Sequence, residues 1–224
     1  MSKITSILSY ANYELIRSKI ASILADELAN QLTLNKAART LELAEVTPDA
    51  ELIALYDLNI SCIPSKVFEE RFIRPNPDEY PLINVVFTGN PLNEGTSNTV
   101  QYGVNKFQIE FYQDAKSQDD NDGDMLASIK LHRIMAICRQ ILMSREYVQL
   151  DLGSIIGYRI VNDQIIGQPN TGADNANNSI FGKFDLLVKS GEEVNDLDGV
   201  QLLESGTTMQ INSSELGYYW EINE

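Results

Sequence analysis

Few residues in this chain are of types that do chemistry, and their spacing argues against most reactions. His132 is the single histidine, and Cys62 and Cys138 are the only cysteines. A zinc site needs several His or Cys ligands, more than this set supplies. A Ser–His–Asp or Cys–His arrangement would have to use His132. No nucleophile-elbow or papain-like context accompanies it. The chain has no Gly-x-x-x-x-Gly-Lys-Ser/Thr loop, and no Gly-x-Gly-x-x-Gly follows a strand. The run Asp119-Asp-Asn-Asp-Gly-Asp124 invites a calcium-loop alignment. With Gly123 as the sixth-position glycine, position twelve is Ile129 where a bidentate Glu is required. Starting at Asp119 moves Gly123 to position five and puts Lys130 at twelve. Both alignments fail. What remains is an acidic turn in which Asp122 or Asp124 caps a helix N-terminus and complements its dipole. The 32 acidic residues leave a glycosidase-like carboxylate pair open, because its spacing belongs to the fold. The expectation is a protein that is not an enzyme, with no metal and no cofactor.

The elements around these residues read as packing units. Ile16, Ile20, Ile23, Leu24 and Leu28 share one face of a 3.6-residue repeat, which predicts a helix over about Ser9–Gln31. Arg17 and Glu27 intrude on that face. Residues 33–54, with Pro48 and several acids, read as a loop with a short helical turn. Leu58–Cys62 and Lys66–Ile73 read as strands. After the proline-rich break at Arg74–Pro81, Leu82-Ile-Asn-Val-Val-Phe87 reads as a buried strand. Gly89–Asn98 is a polar loop. Val100–Tyr112 alternates: Phe107, Ile109 and Phe111 face one way, and Lys106, Gln108, Glu110 and Tyr112 the other. A bulge near Gly103 is expected. The polar set implies a wet or interfacial face.

The helix over about Asp124–Met143 has the strongest pattern. Leu126, Ala127, Leu131, Ile134, Ile137, Cys138, Ile141 and Leu142 form a broad apolar arc. Ser128, His132, Arg133, Arg139 and Gln140 lie opposite. Lys130 intrudes on the apolar arc and Ile129 on the polar one. Gly153–Val161 and Ile180–Lys189 read as closing strands around a small, polar loop at 168–178. The order predicts an α+β fold: a mainly antiparallel sheet with two principal helices packed on it, helix–strands–helix–strands, plus an acidic C-terminal extension.

At 224 residues the chain suits one domain of ordinary size. Met1-Ser-Lys-Ile opens without an apolar signal core, and no apolar run approaches the roughly 20 residues of a membrane span. The expectation is a soluble protein made in a cytoplasm. Two cysteines allow a disulfide; without a secretory signal, two buried thiols are favoured. The net charge is −15, and it is unevenly spread. Residues 190–224 hold eight acids and no Lys or Arg, and 113–124 hold five Asp against Lys116. Residues 125–147 carry Lys130, Arg133, Arg139 and Arg145 against Glu146. Such a balance disfavours general nucleic-acid binding, which depends on cations that neutralise phosphate. The acidic tail reads as a solubilising segment or as a partner for a basic helix, on this or a neighbouring copy.

This order of elements resembles the tail-terminator (tail-completion) proteins of long-tailed bacteriophages. The residues that carry the resemblance are Ile16–Leu28, Glu79-Tyr-Pro-Leu-Ile-Asn-Val-Val-Phe87, Phe107-Gln-Ile-Glu-Phe-Tyr112, Ala127–Met143 and Phe181-Gly-Lys-Phe-Asp-Leu-Leu-Val188. They span roughly residues 10–190. The resemblance implies a domain over 1–190 with an insertion at about 33–65, and an acidic arm over 191–224. It implies a structural virion protein of the phage tail or neck, assembled in the host cytoplasm. Its subunits would form a ring homo-oligomer, a hexamer in that family. The ring ends tail polymerisation and joins the tail to the head connector. Partners would be tail tube and sheath proteins and the head-completion protein, with no membrane. DNA would pass through the ring without specific binding, which an acidic wall favours. Heterologous contacts that close a ring use two different faces of each subunit. Lys106, Gln108, Glu110 and Tyr112 on the strand and Lys130, Arg133 and Arg139 on the helix are the candidate interface residues. Asp119, Asp120 and Asp122 are candidates to face the channel or a partner. Two alternatives stand beside this: another neck, head-completion or baseplate component, and a monomeric α+β binding module or small enzyme.

Overall fold

The computed structural model describes residues 12–72, 77–89, 100–114, 123–153, 156–167, 179–193, 210–214 and 217–221. The first helix, α1 (Asn12–Leu43), buries Ile16, Ile20, Ile23, Leu24 and Leu28, the stripe that the spacing predicts. It continues to Leu43, well past the expected end at Gln31. No Gly or Pro interrupts this second half, and Lys36, Ala37, Ala38 and Arg39 are good helix formers. The intruding charges have partners: Arg17 pairs with Glu70, and Glu27 accepts the Tyr147 hydroxyl.

The segment expected to be a loop and then a strand is a second helix, α2 (Ala50–Cys62). Asp49 caps it, its carboxylate accepting from the backbone N–H groups of Glu51 at 2.8 Å and Leu52 at 3.3 Å. The apolar run Leu58–Cys62 is therefore not a strand. Five residues fit either period; here Asn59 and Cys62, one helical turn apart, are buried together. The 33–65 region is thus the far half of α1 joined to α2, and the chain has a third helix where two were expected.

Five strands form one sheet in the order β1-β2-β3-β5-β4. They are β1 (Val67–Glu69), β2 (Leu82–Gly89), β3 (Val100–Asp114), β4 (Ile156–Gly167) and β5 (Ser179–Glu193). Only β1–β2 is parallel; the other pairs are antiparallel. Of the expected strand at Lys66–Ile73, the residues described through Phe72 keep only β1, because Glu70 turns to φ 50° and breaks the extended run; Ile73 lies outside the described residues. The expected bulge near Gly103 is absent: β3 pairs with β5 in unbroken register from Val100 opposite Glu193 to Asp114 opposite Ser179. Strict alternation survives because Asn105, which points inward, finds the buried Ser190 hydroxyl. The irregularities lie elsewhere, between Phe87 and Gly89 on β2 and at two places along β4.

The third helix, α3 (Gly123–Leu142), begins one residue before Asp124. Asp124 therefore sits in the first turn; Asp122, the other expected cap, lies outside the described residues. Ala127, Leu131, Ile134, Ile137, Cys138, Ile141 and Leu142 are buried as expected, together with Met135. Helices α1 and α3 cover one face of the sheet and enclose Ile83, Val85, Phe107, Ile109, Phe111, Phe184, Leu186 and Val188. The architecture is α+β. At the C-terminus, β6 (Gln210–Ser214) and β7 (Gly217–Glu221) form a separate two-stranded sheet. The two cysteines are free and buried. The loop predicted at 168–178 lies outside the described residues.

Candidate functional site

Alternation along β3 sends Lys106, Gln108, Glu110 and Tyr112 to the sheet face that the helices leave uncovered. Register then decides what stands beside them. Gln108 is opposite Asp185, Glu110 opposite Lys183 and Tyr112 opposite Phe181 on β5; on the other side, Glu110 is opposite Asn84 of β2. Directly paired residues share a face, so these side chains form one connected polar row. Lys106 Nζ lies 2.6 Å from Asp185 Oδ2. With the Gln108 amide assigned the orientation that satisfies both of its ends, its carbonyl accepts from Lys183 Nζ at 2.7 Å and its NH2 donates to Glu110 Oε1 at 3.3 Å. Glu110 Oε2 accepts from Asn84 Nδ2 at 2.8 Å and from the Tyr112 hydroxyl at 3.1 Å.

Asn84 extends the row to the segment after β1. It is fully buried, yet each polar atom has a partner: Oδ1 accepts from Arg71 N at 3.0 Å, and Nδ2 also donates to Arg71 O at 2.9 Å. An amide side chain here does the work of a neighbouring strand. Aromatic groups flank the polar row. Tyr112 stacks on Tyr80 with centroids 5.6 Å apart and leans on Phe181 at 5.1 Å. On the edge strand β4, Tyr158 and Ile160 are exposed, and Lys189 stands over the Tyr158 ring. The row is partly shielded and internally satisfied, so it presents a shaped, nearly charge-balanced surface.

Lys130, Arg133 and Arg139 lie on α3, which packs on the opposite face of the sheet. The structure therefore separates the predicted interface residues into two sets, one on each side of the subunit. Within the second set, Arg133 has an internal duty. Its Nε donates to Asn59 Oδ1 at 2.7 Å; Asn59 Nδ2 donates to Asn35 Oδ1 at 2.8 Å; Asn35 Nδ2 donates to Gln31 O at 2.7 Å. This chain of bonds ties α3 to α2 and α2 to α1. Arg139 is exposed, as is His132.

Beside Arg133, α2 and α3 leave an open groove of about 450 Å³, lined by Leu58, Ser128, Ile129, His132, Arg133 and Ala136. Lys130 stands one turn before Arg133, and both charges act on the Cys62 thiol at the end of α2. Burial outweighs them and pushes that thiol up to about 11; burial also holds Cys138 well above its ordinary value. Burial lowers the Arg159 pKa; its guanidinium donates to the carbonyls of Leu142 and Ser144 and so binds β4 to the C-terminal end of α3.

Asp119, Asp120 and Asp122 lie outside the described residues. Among the described residues, no group of three or more His, Cys, Asp or Glu is placed to hold a metal ion, and no helix is long and apolar enough to cross a membrane. The sequence reading missed Asn59, Asn84, Asp185 and Lys183. A signal existed for Asn84, a lone amide within the apolar run Leu82–Phe87. None exists for Asn59, because the local pattern around Leu58–Cys62 fits a strand as well as a helix.

No family model matches the chain, and no curated protein matches it. Among solved structures, it is similar to a chain of the virion of a native gene transfer agent particle. The identity is 15%, the TM-score 0.29, and the match covers 65% of this chain and 86% of that one.

Proposed function

We propose that this chain is a structural, non-catalytic virion protein that closes a ring on a phage tail tube, ends its polymerisation and joins the tail to the head connector. The observation that carries this reading is the two-sided subunit. A half-covered sheet offers a polar and aromatic row on one side, and α3 offers a basic face on the other. A ring closed by head-to-tail contacts needs two such different surfaces on every subunit. The order of elements supports the same reading: with α2 set aside, helix, mainly antiparallel strands, helix and closing strands follow the layout by which the chain resembles tail-terminator proteins. The net charge of −15 suits a channel through which a duplex must pass without sticking.

Two measurements test the proposal. Native mass spectrometry and electron microscopy of the purified chain, alone and with tail tube protein, should show closed rings of about six copies. Added to polymerising tube protein, the chain should arrest growth and narrow the tube-length distribution. A monomer that leaves tube length unchanged rejects the proposal.

A further inference from the structure

We propose that the groove between α2 and α3 receives the acidic stretch 194–204 of a second copy of this chain. The inference deepens the ring reading and rests on it. The groove floor is apolar, with Leu58 from α2 and Ile129 and Ala136 from α3. Arg133 is the cation in its lining; Lys130 and Arg139 lie outside the lining on α3, one turn before Arg133 and one turn beyond Ala136. The nearest acid on α2, Asp57, is already paired with Arg39. The stretch Val194-Asn-Asp-Leu-Asp-Gly-Val-Gln-Leu-Leu-Glu204 has the matching composition: Asp196, Asp198 and Glu204 with no Lys or Arg, interspersed with Leu197, Val200, Leu202 and Leu203. Its aliphatic side chains suit the floor and its carboxylates the cations.

Geometry selects a second copy over the chain's own arm. Leu131 and Met135 of α3 lie over Gly182, near the start of β5, so the groove sits at that end of the sheet. The strand then runs from Gly182 to Glu193 before the acidic stretch begins. At about 3.3 Å per residue this carries the chain roughly 36 Å away from the groove. Returning would use up residues 194–204 as a tether, because eleven extended residues reach at most about 40 Å. A neighbouring subunit can lay the same stretch directly in the groove.

The test uses the full chain. Equal amounts of ¹⁴N- and ¹⁵N-labelled protein are mixed, reassembled and treated with a carbodiimide, which joins a lysine amine to a carboxylate it touches. Lys130 should be joined to Asp196, Asp198 or Glu204, with mixed-isotope pairs as frequent as same-isotope pairs. Lys130→Glu with Arg139→Glu should weaken association more than ten-fold. Adding Asp196→Lys, Asp198→Lys and Glu204→Lys should restore it, a rescue that a merely misfolded variant cannot show. Links confined to one isotope, no links from Lys130 to this stretch, or no rescue would overturn the proposal. The ring reading is scored separately by electron microscopy. Closed rings without these links sink the docking alone; mixed links in open chains sink the ring alone.

Discussion

Arg133 Nε and Asn59 Oδ1, 2.7 Å apart, join α3 to a helix that local sequence pattern reads as a strand. Asn59 is buried and also bonds Asn35 of α1, so one amide holds three helices in place.

Asn59→Ala should therefore destabilise the fold beyond the loss of its own contacts. It leaves the carbonyl of buried Asn35 without its donor, at about 1–3 kcal/mol for an unsatisfied buried group, and takes the Nε partner of the half-buried Arg133, which water can partly replace. Urea unfolding should show a lower midpoint with an unchanged slope. Arg139→Ala, an exposed position on the same helix, should shift the midpoint little.

On the open face of the sheet, Lys106→Met should leave the Asp185 carboxylate, 6% exposed, without its partner at 2.6 Å. Because Lys106 itself is 42% exposed on its side chain, the expected cost is about 1–2 kcal/mol rather than that of a fully buried pair. Adding Asp185→Asn should recover part of the loss. A strictly additive double mutant, read by denaturant unfolding, would deny the coupling.

Gly182→Ala tests how closely α3 approaches β5. A Cβ there would lie 2.6 Å from Met135 Sδ and 3.2 Å from a Leu131 methyl. Met135 is flexible but only 1% exposed, so relief requires repacking, at about 1–3 kcal/mol. Combined with Met135→Ala, the substitution should cost less than the sum of the two single changes.

The buried thiols give a pH prediction. Burial raises Cys62 from 9.0 to about 11 and holds Cys138 well above 9.0. The hydrogen bond to Glu27 raises Tyr147 from 10.0 to about 12. All three groups keep their protons more firmly in the folded chain than in the unfolded one. Their contribution is complete below about pH 9 and is lost as pH rises toward 11 and 12. The urea midpoint should fall across that window. At pH 8, maleimide should label neither cysteine in the folded protein and both in urea; rapid native labelling of Cys62 would show the α2 end to be open.

The sequence by itself determined what depends on near neighbours. A 3.6-residue stripe marked the buried sides of α1 and α3, and strict alternation sorted Phe107, Ile109 and Phe111 from Lys106, Gln108, Glu110 and Tyr112. These patterns persist because each element buries one side against the same core, whatever the connection order. Charge distribution along the chain was equally legible. The tertiary structure alone decided which polar groups meet. It placed β5 between β3 and β4, so Asp185 and Lys183 came to stand beside Lys106 and Gln108, with Asp185 77 positions beyond Gln108 in sequence. It made a helix of Leu58–Cys62, because only contact with α1 and α3 gives buried Asn59 its partners. It put the two candidate surfaces on opposite sides, since a sheet has two faces and α3 can cover only one. Short-range pattern records burial, whereas partnership across the sheet depends on strand order, for which no local window carries the information.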